Sequence, residues 1–248
     1  MTDLGVTAIL TAMTDAERPW VTTSLHSILN QSVLPDRIIV MAESANSWLE
    51  SDIASAGLAS RCEKLVEVHR IPMEPAGAVR NAGISLARTR WVAFLDGDDE
   101  WRPDRLAAQL RVVSENPSVE FVAGDYVFIN AAGQPFAFSN GSFPTPSAWM
   151  VSRELMLEVP FDPASQGGED HLWLKATLAR KSRVRIPRVL VGYRIRDSSI
   201  SSLNHGHTAQ RRRREAMARA SRFGFVRYPM LAATFARHWL SRKLPYQI

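Results

Sequence analysis

The chain of 248 residues contains one cysteine, Cys62. A lone thiol excludes an internal disulfide framework and a thiolate metal cluster, and is expected to be at least partly buried. No apolar stretch approaches the roughly 20 residues that cross a bilayer, and Met1-Thr-Asp-Leu4 lacks the basic-then-apolar order of a secretory signal. The expected location is therefore cytoplasmic, with peripheral contact at the inner face of a membrane as an option. Internal repeats and low-complexity linkers are missing too. With 46% hydrophobic residues the chain can build one sizeable core and a small appendage.

Acidic residues are scarce toward the end of the chain. From Arg211 to Lys243 there are ten Lys or Arg and only Glu215 in opposition, so the formal charge of +5 sits in a basic arm. Such charge attracts phosphate or acidic lipid. Nucleic acid is not an expected partner, because the run Arg211 to Arg214 has no aromatic platform or recognition-helix pattern beside it. The arm also carries Phe223, Phe225, Tyr228, Phe235 and Trp239. They either pack on the rest of the protein or on another subunit, or they meet an anionic lipid surface. The expected division is a catalytic domain over 1–205 and a basic amphipathic helical extension over 206–248.

What is present is most concentrated in Phe94-Leu-Asp-Gly-Asp-Asp-Glu-Trp101. An apolar run, Trp91 to Leu95, ends in three aspartates where a buried strand should emerge into solvent. Carboxylates this close repel one another unless a cation sits among them. Asp96 and Asp98 share a side of an extended backbone, and Gly97 permits a bend around a small ligand. The competing explanation is an acidic turn capping the helix after Pro103.

Strand and helix signals alternate through the first half: strands over Val6 to Thr11, Arg37 to Met41, Lys64 to Arg70 and Trp91 to Leu95, and helices over Arg18 to Leu29, Trp48 to Leu58 and Ala76 to Ala87. Near-continuous apolar runs fit parallel strands buried on both faces, and ligands of such sheets gather at the strands' carboxyl ends. The second half is less repetitive, with a helix over Arg102 to Val113, strands over Val119 to Ile129 and Arg185 to Val191, a hairpin or loop at Gly133 to Phe138, and a helix over Asp170 to Ala179. Asp170 and Glu169 follow a glycine pair at that helix start, where free amides favour a charged carboxylate. Asp170 could then accept a proton as a base, with Glu169 in support; capping explains the pair equally well. Leu172 and Trp173 read as core residues.

The strand Val6-Thr-Ala-Ile-Leu-Thr11, then Gly77-Ala-Val-Arg-Asn-Ala-Gly83, Phe94-Leu-Asp-Gly-Asp-Asp99, Pro103-Asp-Arg-Leu106, Gly168-Glu-Asp-His-Leu-Trp173 and Tyr193-Arg-Ile-Arg-Asp-Ser-Ser-Ile-Ser201, in that order, resemble the inverting family 2 glycosyltransferases of GT-A fold. The resemblance implies an α/β GT-A nucleotide-sugar-binding fold with a mainly parallel mixed central sheet flanked by helices. It also implies a DXD element in which Asp98 contacts Mn2+ or Mg2+ and Asp96 contacts metal or ribose, with Asp99 behind them. Arg80 would face the nucleotide, with a structural salt bridge as the alternative, Asn81 would order its loop, and Asp170 would be the catalytic base, supported by Glu169. The implied donor is a nucleotide-diphosphate sugar, and the acceptor a glycan, a lipid-linked saccharide or a small hydroxyl compound.

Two departures stand out. The second strand ends Ala42-Glu43-Ser44, so Glu43 is the remaining candidate for reading the base, with a surface or capping role as the alternative. Arg196 stands where many relatives carry a histidine; it has no lone pair for a metal, although it or Arg194 could bind diphosphate. A metal-dependent nucleotidyltransferase and a noncatalytic nucleotide-sugar-binding scaffold are the alternative functions.

Overall fold

The computed structural model describes residues 4–63, 65–139, 144–177, 179–180, 182–196 and 209–241. The expected motif segment 197–201 lies outside the described residues, as do His205 and His207, whose spacing is compatible with two metal ligands.

The first half winds as its alternation predicts. Strand β1 (Val6–Ala12) leads to helix α1 (Arg18–Leu29), β2 (Arg37–Glu43), the short helices α2 (Leu49–Ser55) and α3 (Ala59–Cys62), β3 (Val66–Ile71), α4 (Ala76–Leu86) and β4 (Trp91–Asp96). These strands lie parallel in the order β3-β2-β1-β4. The helix expected over Trp48 to Leu58 is broken, because the chain turns at Gly57 with φ of 70°, a region open chiefly to glycine. Cys62 is buried.

A two-residue strand β5 (Glu100–Trp101) and helix α5 (Arg105–Glu115) follow. Next come β6 (Phe121–Ile129), β7 (Pro135–Phe138), a 3-10 turn at Pro146–Ala148, β8 (Trp149–Ser152), α6 (Arg153–Glu158), α7 (Glu169–Ala176) and β9 (Arg183–Arg194). Strand β8 joins the halves by pairing antiparallel with both β4 and β6, and β9 runs parallel to β6. Strand β9 is longer than the expected 185–191. Its register against β6 shifts between Gly124 and Asp125, opposite Pro187, which has no amide to donate. Helix α7 ends at Ala176, short of the expected Ala179, and β5, β8 and α6 were not anticipated.

Successive residues of the central strands enter different cores. Ile9, Ile39 and Phe94 face one layer with α4, α6 and α7, whereas Leu10, Val40 and Leu95 face the other with α1. This two-sided burial is why the strands read as unbroken apolar runs. Gly83 lets α4 lie against β1, since a Cβ there would fall 2.7 Å from Ile9 Cγ2. Helix α7 is anchored by Trp173, whose ring lies 5.2 Å from Trp149 and 5.6 Å from Phe121. Leu172, expected in the core beside it, is half exposed on the helix's outer face.

The basic arm folds back as α8 (Ala209–Ala220) and α9 (Gly224–Ser241). Asn130 Nδ2 donates to Ser221 Oγ at 2.9 Å, Phe138 N donates to Thr234 Oγ1 at 3.0 Å, and His238 Nδ1 lies 3.0 Å from Ser139 O. The arm is thus joined to β6 and β7.

Trp173→Ala removes the anchor of α7 and should cost about 3–5 kcal/mol of stability. Denaturant titration should show a lower midpoint with an unchanged slope.

Candidate active site

The acidic loop leaves β4 at the point where strand order reverses. Strands β1 and β4 are adjacent and parallel, with Thr11 opposite Asp96, the place where open α/β sheets form a crevice. Gly97 makes the turn possible: a Cβ there would lie 2.4 Å from Thr11 O. Asp99 N donates to Asp96 O at 3.0 Å, and Ser24 Oγ donates to the carbonyls of Gly97 and Asp99 at 3.0 and 2.7 Å. Ser147 Oγ accepts from Asp96 N at 3.2 Å and donates to Asp99 Oδ2 at 2.6 Å. Asp99 is buried and braces the loop from behind.

Four acids crowd this spot. Burial, with Asp98 and Asp96 adding repulsion, pushes the Asp99 carboxyl well above its usual range. Burial also raises Asp98, against the opposing pull of Arg196. Glu17, just before α1, turns its carboxylate back to accept from Met13 N and Thr14 N at 2.8 and 3.0 Å. Burial, then Asp98, raises its pKa to about 7.

Two guanidinium groups answer this charge. Arg196 Nε donates to Asp98 Oδ2, and its Nη2 lies 3.9 Å from Glu17 Oε1. Arg80, on α4, donates from Nη2 to Asp96 Oδ1 at 2.7 Å and from Nη1 to Glu169 Oε1 at 2.6 Å. Of the two expectations for Arg80, the nucleotide and a structural salt bridge, its surroundings here are those of the second: it is buried, with both terminal nitrogens directed to carboxylates, and it ties the acidic loop to the start of α7.

The chain enters α7 through Gly167 and Gly168 at φ of 141° and 76°, a reversal that sets the next two acids apart. Glu169 turns inward to Arg80. Asp170 keeps a side chain 21% exposed and accepts from the His171 amide at 2.8 Å, with His171 Nδ1 at 3.2 Å. That contact, more than burial opposes it, raises the His171 pKa. Asn81 orders the approach to α7, donating to Phe161 O at 2.8 Å and accepting from Phe161 N at 3.1 Å. Burial lifts the Tyr126 phenol to about 12, with Arg214 opposing the rise and Asp170 and Asp99 adding to it.

Arg194 does not point into this space. Its Nε donates to Asp98 O at 2.7 Å, its Nη1 to Asn130 O and Ala131 O at 2.7 and 2.9 Å, and its Nη2 pairs with Glu100. With its donors so engaged it clamps the loop, and of the two arginines expected at the diphosphate Arg196 is the one that lines the crevice. Glu43 sits at the carboxyl end of β2 and accepts from Ala45 N at 2.8 Å, a turn contact. Trp20 of α1, 5.4 Å from the Arg194 guanidinium, and Ser147 were not singled out by sequence. Their partners are remote in the chain, so no local signal marks them.

No cluster of three or more His, Cys, Asp or Glu able to hold a metal occurs among the described residues. Mg2+ and similar ions commonly use one or two carboxylates together with substrate phosphates. Asp96 and Asp98, in a spot with more acids than guanidinium groups, fit that donor set.

The glycosyl transferase family 2 model matches residues 14–140, just over half of the chain. This protein belongs to that family. It is 30% identical over 151 residues to succinoglycan biosynthesis protein ExoO of Rhizobium meliloti (strain 1021), covering 50% of this chain and 43% of that protein. It is 29% identical over 122 residues to the putative teichuronic acid biosynthesis glycosyltransferase TuaG of Bacillus subtilis (strain 168), 48% of this chain and 46% of that one. The chain thus spans less than half the length of these relatives. Its fold is similar to the crystal structure of S. aureus TarS 1-349 in complex with UDP-GlcNAc, with TM-score 0.64, 15% identity and coverage of 95% of this chain and 73% of that chain. The GT-A-type architecture is the expected one.

Arg80→Met would leave Asp96 and Glu169 without their shared counter-ion, and removing one member of a buried ion pair costs about 3–5 kcal/mol. In a double-mutant cycle with Glu169→Gln, the two losses should fall well short of additive.

Proposed function

We propose that this chain is an inverting glycosyltransferase that moves one sugar from a nucleotide-diphosphate donor to a hydroxyl acceptor, in the synthesis of a polysaccharide or related glycan. The observation that carries this reading is the Arg80 bridge, which holds Asp96 of the acidic loop and Glu169 beside Asp170 on one guanidinium. A leaving-group site and a base are thereby fixed relative to one another, which removes reorientation entropy from the displacement. The family assignment and the polysaccharide-synthesis names of the relatives support the same reading.

In this assignment Asp170 accepts the acceptor hydroxyl's proton while that oxygen attacks the anomeric carbon from the face opposite the diphosphate. The bond from sugar to phosphate oxygen breaks, and the nucleoside diphosphate leaves with the electron pair. Glu169 acts through Arg80 as a positioning residue. Mn2+ or Mg2+, held by Asp98 and Asp96 with the donor diphosphate, would supply positive charge for the departing group. Arg196 contributes fixed positive charge beside Asp98 and donates to diphosphate oxygens. Glu43, at the edge of the same crevice, accepts from the nucleotide base. Glycans and lipid-linked saccharides are the acceptors to test first.

Mass-resolved turnover of a nucleotide-sugar panel, beginning with UDP sugars because a TarS structure holds UDP-GlcNAc, should yield product heavier by one sugar and matching nucleoside diphosphate. Pyrophosphate release would favour a nucleotidyltransferase, and donor binding without turnover on any acceptor a binding scaffold. Asp170→Asn should retain donor affinity and lose about 10²–10⁴-fold in transfer rate. Unchanged transfer would remove Asp170 as base.

Because Arg196 engages Asp98 directly, Arg196→His should tighten Mn2+ binding, measured by electron paramagnetic resonance without donor. Asp98→Asn should weaken it. An Arg196→His protein with unaltered Mn2+ affinity would separate this guanidinium from the cation site.

A further inference from the structure

Helix α9 divides its apolar residues between two faces. Met230 lies against the aromatic cluster of Phe128 and Phe136, while Thr234 and His238, four and eight residues on, bond to Phe138 and Ser139. Phe225, Tyr228 and Trp239 follow a second stripe, well away from the first at about 100° per residue, and Phe235 stands at its border, with its ring edge-on to Phe138 at 5.5 Å. This stripe is exposed: Phe225 at 79%, Tyr228 at 65%, Phe235 and Trp239 at close to half. Phe223, in the turn before the helix, is 59% exposed and lies 5.8 Å, ring to ring, from Phe225.

Charge specifies what covers such a face. No Asp or Glu follows Glu215, whereas Arg213, Arg219 and Arg222 are exposed on α8 and the turn, and Arg227 lies over the Tyr228 ring at 5.1 Å. Outside the segment 211–243 the chain has twenty basic and twenty-four acidic residues, a net charge of −4. An anionic partner is therefore drawn to the arm and repelled by the body. An apolar groove of about 680 Å³, lined in part by Val127, Leu231 and Phe235 and edged by Arg102 and Arg188, runs beside the stripe. Aromatic side chains inserting at the headgroup level, flanked by arginines, are the chemistry of an interfacial helix.

We propose that this face of α9, with the α8–α9 turn, docks on the surface of an anionic lipid bilayer. The turn is tied to the catalytic crevice: Asn130 Nδ2 donates to Ser221, Arg194 donates to Asn130 O at 2.7 Å, and Arg194 Nε donates to Asp98 O. Docking through the turn thus orients the acidic loop relative to the membrane. No helix among the described residues is long and apolar enough to cross a bilayer, so the contact is peripheral.

The test is sedimentation of the full 248-residue chain with phosphatidylglycerol-containing vesicles and with pure phosphatidylcholine vesicles, without donor, metal or acceptor. The expected result is binding to the anionic vesicles, weakened at least about tenfold by Phe225→Ser with Tyr228→Ser, and by roughly fivefold for each of Arg213→Gln and Arg222→Gln. Raising salt should weaken it further, while thermal melts of the variants stay unchanged. Equal binding to both vesicle types, or none to either, would overturn the proposal. So would a dimer in light scattering that dissociates on the aromatic substitutions, because the covering partner would then be a second copy. The assay is independent of sugar transfer, so its failure leaves the catalytic reading untouched, and failure of transfer leaves docking untouched.

Discussion

Confinement of Asp96, Asp98, Asp99 and Glu17 at the end of β4 is the constraint on which the other features of the crevice depend. Burial raises the proton affinity of three of these groups, and their mutual repulsion adds to it. Such a cluster is stable only where positive charge and donors reach it from several directions. Arg80 and Arg196 provide the charge; the amides of Met13, Thr14 and Arg194 and the Ser147 hydroxyl provide donors. These groups come from the loop after β1, from α4, from the turn before β8 and from the end of β9. Neutralising the loop therefore also assembles the crevice.

The mixed sheet is what brings those donors together. Its parallel half sets Thr11 against Asp96 and places α1 and α4 on opposite faces, so that Glu17 and Arg80 approach from two sides. Its second half returns through β8, β6 and β9, carrying Ser147 to the back of the loop and Arg194 beneath it. The Arg194 guanidinium is spent on backbone carbonyls and Glu100, which frees Arg196, two residues on and on the same side of the strand, to meet Asp98. The spacing of two makes one a clamp and the other the cation that lines the crevice.

The parallel half was legible because two-sided burial writes itself into the chain as unbroken apolar runs, and the acidic loop because three aspartates have no use in a core. What sequence could not supply is pairing. Arg80 and Glu169 are 89 residues apart, and nothing local to either marks the other, so a salt bridge of Arg80 could be expected only as an alternative to phosphate and with no partner named. Strand β5 has two residues, too few for a period, and the helix break after Ser55 depends on a single positive φ. Leu172 was misplaced because its neighbour Trp173 claims the buried face of a short helix. Glu17 stands in the first loop, where its spacing alone assigns it no role; its side chain turns back to accept from Met13 N and Thr14 N.

Arg196 gives the crevice a character that a histidine would not. A histidine offers a lone pair and loses its charge near neutrality, whereas a guanidinium is a permanent cation that cannot ligate a metal. The acidic loop of this chain is therefore partly neutralised before any donor arrives, with Arg196 already on Asp98 and Arg80 already on Asp96. Under the proposed function, a diphosphate entering such a site would compete with Asp98 for Arg196, and each hydrogen bond it took would leave that carboxylate with a stronger demand for another cation. Anion and divalent cation would then favour each other's binding through one side chain, and the direction of that coupling follows from the charge of Arg196 alone.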